Sequence, residues 1–350
     1  MSTPLGLLLR QRIRDSGPLS VADFMGQCLS HPEWGYYIGR DPLGRAGDFI
    51  TAPEISQMFG ELLGLWAAVV WQAMGEPAEV VLAELGPGRG TLMSDFLRAA
   101  AQLAPFRKAL RIHLVETSPA LRLRQQQLLK DLPVVWLERV EELPAGPLMV
   151  VANEFFDALP IHQYVNRDDG WHERLVGLDG DDFVFVDGTT ATIDAPPAAE
   201  GDIFEINPTA RDIAQWLGQR LATEGGAALV IDYGHPTSAV GDTLQAVHRH
   251  QMVPVFHRPG ETDLTAHLDF QALAAAARPA NATKVVSQGT FLRSLGIELR
   301  ADRLGAGAPD KADEIASACR RLIDPAGMGN LFKAMALLDP GLNLPPGLPS

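Results

Sequence analysis

The sequence predicts an α/β protein with a doubly wound sheet, an N-terminal helical segment, and inserted antiparallel strands and helices. The first observation is the segment 80–92, VVLAELGPGRGTL, where an apolar run leads into three alternating glycines and a helix start. The second is an alternation of strand and helix patterns through residues 79–152. This alternation is typical of a parallel sheet that binds its ligand at the carboxyl ends of the strands.

The N-terminal residues predict helices. Residues 5–30 have the pattern of two helices, the second beginning after Ser20 as N-cap. An aromatic turn at 34–37 and a loop rich in glycine and proline at 44–54 follow. A longer helix is predicted from about Ile55 to Met74, because its apolar residues recur at helical spacing.

The remaining elements alternate. Core strands are predicted at 80–85, 111–116, 133–137, 148–152, 226–233 and 331–338, with helices at 91–103 and 119–129. Residues 161–206 have the period-two pattern of antiparallel ribbons and contain a loop at 194–201. The segment 240–270 has no clear pattern, and its His248 and His250 lack further ligands, so no metal site is predicted.

Length, charge and cysteine content restrict the class of protein. The 350 residues suffice for a full α/β core and a second lobe. A net charge of −14 disfavours nonspecific binding to nucleic acid or to an anionic membrane. Cys28 and Cys319 are too few for a disulfide framework. With no signal-peptide pattern or membrane-spanning run visible, we expect a cytoplasmic protein without membrane insertion.

The glycine turn predicts a nucleoside cofactor. Glycines let the backbone approach a ligand where a Cβ would collide, but their spacing is one residue shorter than the dinucleotide pattern. A carboxylate at the end of the preceding strand would repel a diphosphate and favour an ammonium or sulfonium group. We therefore predict S-adenosylmethionine rather than NAD. The predicted contacts at the turn are Glu84, Gly86, Pro87, Gly88, Gly90 and Thr91.

A second acidic residue supports an adenosine site. Glu116 ends the next predicted strand, where a carboxylate can accept hydrogen bonds from both ribose hydroxyls. Both classes of nucleoside cofactor use such a residue, so it does not separate them. In the alternative interpretation the turn is only a tight connection, and the two acids are solvated strand ends or helix caps.

Polar residues follow the fourth predicted strand, where substrate meets cofactor in doubly wound sheets. Glu154 and Asp157 could orient an arginine guanidinium through bidentate hydrogen bonds, and one of them could accept its proton. Asn153 completes the predicted catalytic set. In the alternative interpretation, Asn153 and Asp157 cap a following helix and Glu154 touches only the cofactor.

The motifs together resemble the MidA family of S-adenosylmethionine-dependent methyltransferases over most of the chain. They are GYY at 35–37, GDFITAPEI at 47–55, ELGPGRGT at 84–91, NEFFDALP at 153–160, DYG at 232–234 and DLT at 263–265. The resemblance implies a class I methyltransferase (Rossmann-like) fold. The family includes a mitochondrial arginine methyltransferase required for assembly of respiratory complex I, which implies a protein substrate, with a respiratory-complex subunit as one candidate.

The resemblance also implies roles for the loop at 47–54. Thr51 would contact the cofactor, and Asp48 and Glu54 would contact the substrate. The alternative is a helix-entry loop in which Glu54 is favourable at the helix dipole.

The resulting domain prediction is an N-terminal helical segment with the active-site loop at 1–78 and a cofactor-binding core at 79–160. An inserted ribbon and helix at 161–225, further core strands with a helical insertion at 226–340, and a flexible tail at 341–350 follow.

The predicted function is transfer of a methyl group from S-adenosylmethionine to arginine in a protein, in the cytoplasm of a bacterium. One alternative is an assembly or interaction factor that keeps the fold without chemistry and docks through residues 161–206. An NAD-dependent oxidoreductase is disfavoured by the glycine spacing and by Glu84. No oligomeric state is predicted.

Overall fold

The computed structural model describes residues 3–38 and 51–350, and the chain divides into two compact units. The small unit comprises Met1–Phe49, Asp157–Arg211 and Thr237–Asp269. The large unit comprises Ile50–Phe156, Asp212–Pro236 and Phe270–Ser350.

The elements are numbered in chain order. The helices are α1 (Pro4–Ser16), α2 (Val21–Ser30), α3 (Ala52–Ile55), α4 (Gln57–Ala73), α5 (Thr91–Ala100), α6 (Ala104–Ala109), α7 (Pro119–Leu128), α8 (Pro208–Glu224), α9 (Phe270–Ala276), α10 (Gln288–Ser294), α11 (Ile297–Gly307), α12 (Ala312–Ile323) and α13 (Met328–Leu331). The strands are β1 (Leu19–Ser20), β2 (Val80–Leu85), β3 (Leu110–Val115), β4 (Val134–Leu137), β5 (Leu148–Asn153), β6 (His162–Arg167), β7 (Gly170–Asp179), β8 (Asp182–Ala191), β9 (Ile203–Ile206), β10 (Gly226–His235), β11 (Gln245–His248), β12 (Gln251–Val253), β13 (Asp263–Thr265), β14 (Leu268–Asp269), β15 (Asn281–Ala282), β16 (Val286–Ser287) and β17 (Phe332–Leu338).

The large unit is built on a mainly parallel sheet whose strands follow the order β15, β17, β10, β5, β2, β3, β4. Strands β10, β5, β2, β3 and β4 pair in parallel, whereas β17 runs antiparallel to β10. The predicted α/β class and the six predicted core strands are confirmed. Because β5, β2 and β3 are parallel neighbours, the residues at their carboxyl ends share one edge of the sheet.

The continuous apolar runs of β2 and β5 follow from their position. All six residues of each strand are buried, as expected of central strands that are covered on both faces. The predicted helix at 55–74 begins later than expected, because Ser56 adopts extended backbone and its hydroxyl accepts a bond from the Met58 N–H. Helix α4 therefore begins at Gln57, after the short helix α3.

The small unit contains two antiparallel sheets and its own apolar core. Strands β1, β7, β6 and β9 form one sheet, with β8 paired to β7, which confirms the predicted antiparallel ribbons. The second sheet, β12-β11-β13, lies in the segment for which the sequence has no clear pattern. Helices α1 and α2 contribute Leu5, Leu9, Phe24 and Met25 to the core of this unit. Ser20 caps α2 as predicted.

The end of the chain packs against the large unit. Leu348 is buried, and the Lys284 N–H donates to the Pro349 carbonyl. The prediction of a flexible tail did not anticipate these contacts. Within residues 3–38 and 51–350, no helix has both the length and the apolar character needed to cross a membrane.

Candidate functional site

The glycine turn joins β2 to α5. Gly86, Gly88 and Gly90 have φ angles of 63°, 53° and 84°, in the left-handed region that favours glycine. A Cβ at Gly86 would also lie 2.9 Å from Cδ2 of Phe155, closer than two carbon atoms can approach. The turn therefore requires glycine for its conformation and, at Gly86, for space.

Glu84 lies near the carboxyl end of β2 and is buried. Its carboxylate accepts a bond from the Met93 N–H in the first turn of α5, while its Oε2 has no hydrogen-bond partner among the described residues. Burial, together with the charge of Glu116, raises the pKa of Glu84 to about 8. A cation beside this carboxylate would offset the cost of burying its charge.

Glu116 follows β3 directly and is also buried. Its Oε1 accepts the Ser118 N–H at 2.8 Å, and its Oε2 accepts from Nε2 of Gln125 at 3.2 Å. Burial raises the pKa of Glu116, and these hydrogen bonds oppose the rise. The charges of Glu84 and Glu116 interact, so the two carboxylates lie close to each other at the carboxyl edge of the sheet.

Gln125 is a residue that the sequence analysis missed. It is fully buried on α7, and its Nε2 also donates to the Gly88 carbonyl at 2.7 Å. Its Oε1 accepts the indole Nε1–H of Trp136 at 2.9 Å. The signal was present in the sequence, because Leu121, Gln125 and Leu129 recur every four residues and Gln125 is the polar member of a buried stripe.

Helix α3 is held against the glycine turn. Oε1 of Glu54 accepts from the Thr91 hydroxyl at 2.5 Å, and its Oε2 lies 3.7 Å from Nη1 of Arg89. Thr51 occupies the N-cap position of α3 without a side-chain capping bond. The roles of Thr51 in cofactor binding and of Glu54 in substrate binding stay predictions. Asp48, the other predicted substrate contact, lies outside the described residues.

Asn153 and Glu154 lie where β5 ends. Oε1 of Glu154 accepts from Nδ2 of Asn153 at 3.2 Å and from the Ala52 N–H at 3.3 Å. Glu154 has a φ of 51°, an uncommon conformation for a residue with a side chain. The Asn153 Oδ1 is buried with no hydrogen-bond partner among the described residues. A strained residue with an oriented carboxylate at this edge is typical of a functional site.

Asp157 belongs to the small unit. Its carbonyl accepts the Ala266 N–H at 3.0 Å. Burial, with the charges of Asp263 and Asp157, raises the pKa of Tyr37 well above its usual value. Residues 154–161 contain no helix, so the alternative in which Asn153 and Asp157 cap a following helix is wrong.

Fold and site together define a class of protein. A parallel sheet with an antiparallel last strand, a glycine turn after β2, and acids at the ends of β2 and β3 are features of class I methyltransferases. The residues fit S-adenosylmethionine, because the buried Glu84 Oε2 has no described partner and a Cβ would obstruct the turn at Gly86.

The chain belongs to the family of S-adenosyl-L-methionine-dependent methyltransferases whose family model matches residues 62–288. The family resemblance, the fold class and the preference for S-adenosylmethionine over NAD are thereby confirmed.

Two mammalian proteins are similar to almost the whole chain. The mouse protein arginine methyltransferase NDUFAF7, mitochondrial, is 39% identical over 96% of this chain and 84% of its own length. The human protein of the same name is 37% identical over 96% of this chain and 83% of its own length.

A solved structure extends the comparison to three dimensions. The crystal structure of a protein from Burkholderia thailandensis bound to S-adenosylhomocysteine has a TM-score of 0.86 and 30% sequence identity. The match covers 98% of this chain and 93% of that chain. The two chains therefore share the fold along almost their whole lengths.

Proposed function

We propose that this protein transfers the methyl group of S-adenosylmethionine to an arginine side chain of a protein substrate. The observation that carries the proposal is the carboxylate of Glu154, which Asn153 and the Ala52 N–H orient at the carboxyl end of β5. Relatives that are named protein arginine methyltransferases support the choice of arginine.

Each predicted cofactor contact has a physical role in this proposal. Glu84 provides negative charge for the cationic part of the cofactor, and Glu116 accepts hydrogen bonds from the ribose hydroxyls. Gly86, Gly88 and Gly90 leave the backbone of the turn open to a ligand, and Pro87 lies between the first two of them. Thr91 follows the turn directly, and Thr51 precedes α3, whose Glu54 accepts from the Thr91 hydroxyl.

The chemistry divides between cofactor and protein. S-adenosylmethionine supplies an electrophilic methyl group on a positively charged sulfur. The protein must orient the guanidinium and accept the proton that its nitrogen gives up. We assign both tasks to Glu154, with Asn153 orienting its carboxylate; Asp157 stays a predicted catalytic residue.

Two finer points are proposals as well. A respiratory-complex subunit is a candidate substrate, on the family resemblance alone.

A cytoplasmic location is supported by the two buried cysteines, which form no disulfide and suit a reducing compartment. Methyl labelling of a matching cell lysate followed by peptide mass mapping would identify the substrate, and fractionation of the source cells would test the location.

The test compares Glu154→Gln with wild type, using S-adenosylmethionine labelled in its methyl group and arginine-containing proteins of the lysate. We expect transfer to fall at least about 100-fold, since general base catalysis contributes that much, while S-adenosylhomocysteine still binds. Glu79→Gln is the control, because Glu79 precedes β2 at the opposite edge of the sheet. Failure of wild type to label arginine, or full transfer by Glu154→Gln, contradicts the proposal.

A further inference from the structure

We propose that Gln125 is a positioning residue that holds Glu116 and the Gly88 carbonyl in the arrangement needed to bind the adenosyl group. The inference rests on the proposed function, because it assigns Glu116 to the ribose hydroxyls. Gln125 touches neither reacting group in this account; it acts through the residues that do. One side chain thereby connects the glycine turn, the acid after β3, and strand β4.

The orientation of the Gln125 amide follows from its third partner. The indole N–H of Trp136 can only donate, so the atom of Gln125 facing it at 2.9 Å must be the oxygen. The amide nitrogen then faces the two acceptors, the Gly88 carbonyl and Oε2 of Glu116. Trp136 therefore determines which way the amide points, and the amide determines where one oxygen of Glu116 lies.

Burial makes these hydrogen bonds important. Gln125 has no exposed surface and Glu116 is buried, so water cannot readily replace a lost partner. Both hydrogens of the amide nitrogen have acceptors, and its oxygen has a donor. Ser118 holds the other oxygen of Glu116. The carboxylate is therefore fixed at both oxygens and also accepts from the Thr117 N–H, which leaves one of its four lone pairs for a ribose hydroxyl.

The bond to Gly88 orients a peptide group of the turn. In a trans peptide the carbonyl and the following N–H point in opposite directions. Because the Gly88 carbonyl points to Gln125 on α7, the N–H of Arg89 points away from that helix. Gln125 thus controls the direction of a backbone donor as well as that of the carboxylate.

The test is a double-mutant cycle in which one change is the substitution of Gln125 and the other is removal of a ribose hydroxyl from the ligand. Wild type and Gln125→Met are titrated with S-adenosylhomocysteine and with its 2′-deoxy analogue. We expect Gln125→Met to weaken binding of S-adenosylhomocysteine about tenfold, as for loss of a hydrogen bond to a charged group. The hydroxyl penalty is the loss of affinity on going from S-adenosylhomocysteine to its 2′-deoxy analogue. We expect this penalty to be about tenfold in wild type and under about threefold in the variant. The KM for S-adenosylmethionine should rise with kcat little changed.

Gln126→Met is the matched control, because Gln126 is the exposed neighbour on the same helix. It should leave both affinities unchanged. Equal penalties for the hydroxyl in wild type and Gln125→Met would overturn the inference, since a merely structural effect weakens both ligands alike. If wild type does not bind S-adenosylhomocysteine, the proposed function fails instead.

A second variant keeps the inference falsifiable if Gln125→Met does not fold. Trp136→Phe keeps an aromatic ring but removes the indole donor, so the amide of Gln125 can turn over and present its oxygen to Glu116. We expect the hydroxyl penalty to fall in this variant also, by about threefold. An unchanged penalty in folded Trp136→Phe would contradict the proposed positioning.

Discussion

Two buried carboxylates whose charges interact are unfavourable unless a ligand compensates them. Burial raises the pKa values of both Glu84 and Glu116, because it disfavours their charged forms. The charge of Glu116 raises the pKa of Glu84 further. Glu84 keeps one oxygen without a described partner. An arrangement that costs free energy of folding in this way is typical of a binding site.

The raised pKa of Glu84 predicts how stability depends on pH. Its pKa is about 8 in the folded protein against 4.5 as the ordinary value, so the folded state binds more protons between these pH values. The free energy of unfolding without ligand should therefore fall as pH rises from 5 to 8, by at most about 1.4 kcal/mol per pH unit from this group. Urea unfolding at several pH values measures this dependence of the free energy of unfolding on pH.

Glu84→Gln is the variant that isolates this contribution, because its amide does not titrate. The slope of stability against pH should become shallower in the variant, with the part due to Glu116 remaining. Saturating S-adenosylmethionine should also flatten the wild-type slope, since a cation favours the ionised carboxylate. Parallel slopes for wild type and Glu84→Gln would show that Glu84 is ionised throughout.

Gly86→Ala tests the need for glycine in the turn. The new Cβ would meet Phe155 at 2.9 Å in a backbone conformation with φ of 63°. We expect a loss of about 1–2 kcal/mol in stability and weaker binding of S-adenosylhomocysteine. Gly75→Ala is the control, because Gly75 has a φ of 83° and no atom within 4 Å of the added Cβ. Gly75→Ala should lose stability but bind S-adenosylhomocysteine normally. Equal affinity of the two variants for this ligand would contradict the prediction.

At the scale of elements, the packing of α4 on α5 fixes the position of α5, which begins directly after the glycine turn. A Cβ at Gly64 would lie 2.5 Å from the Phe96 carbonyl oxygen, and one at Gly60 would lie 2.7 Å from Cβ of Asp95. The two helices approach this closely only because both positions are glycine. Glu61 between them accepts hydrogen bonds from Arg98 of α5 and Arg300 of α11, which ties three helices together.

Gly64→Ala should therefore separate α4 from α5. We expect a loss of about 1–3 kcal/mol in the free energy of unfolding, because the clash is with backbone rather than with a flexible side chain. Val69→Ala on the exposed side of the same helix should change stability by less than about 0.5 kcal/mol. Thermal unfolding of the two variants checks this, and similar melting temperatures would contradict it.

The sequence predicted the elements whose patterns are local. Strand β2 and the glycine turn were predictable, because a continuous apolar run marks a central strand and glycine marks the turn. The three-residue strands β12 and β13 were not, since pairing across the chain rather than local pattern makes them strands. Gln125 was missed for a similar reason: its three partners lie at Gly88, Glu116 and Trp136, and only the fold brings them to one side chain.

At the scale of the whole molecule, each compact unit is assembled from three separate stretches of chain. The sheet of the large unit includes strands from the last of its three stretches. In this sheet β17 lies between β10 and the short strands β15 and β16. Leu348 follows β17 and joins the same apolar core. Residues 281–338 must therefore be present before this sheet can close.

Leu348→Ala tests the contribution of the chain end. Leu348 is 3% exposed, so its loss should lower the free energy of unfolding by about 2–4 kcal/mol. Leu344 is 50% exposed, and Leu344→Ala should change it by less than about 0.5 kcal/mol. Urea unfolding distinguishes the two variants; equal effects would mean that the tail does not pack in solution.

The central claim is that the acid-flanked glycine turn binds the adenosyl cofactor. Calorimetric titration of wild type and Glu116→Ala with S-adenosylhomocysteine tests it most directly, with thermal unfolding to verify that both are folded. We predict saturable binding by wild type at one site per chain and binding at least about tenfold weaker by Glu116→Ala. No binding by folded wild type, or equal affinity in the variant, would contradict the claim.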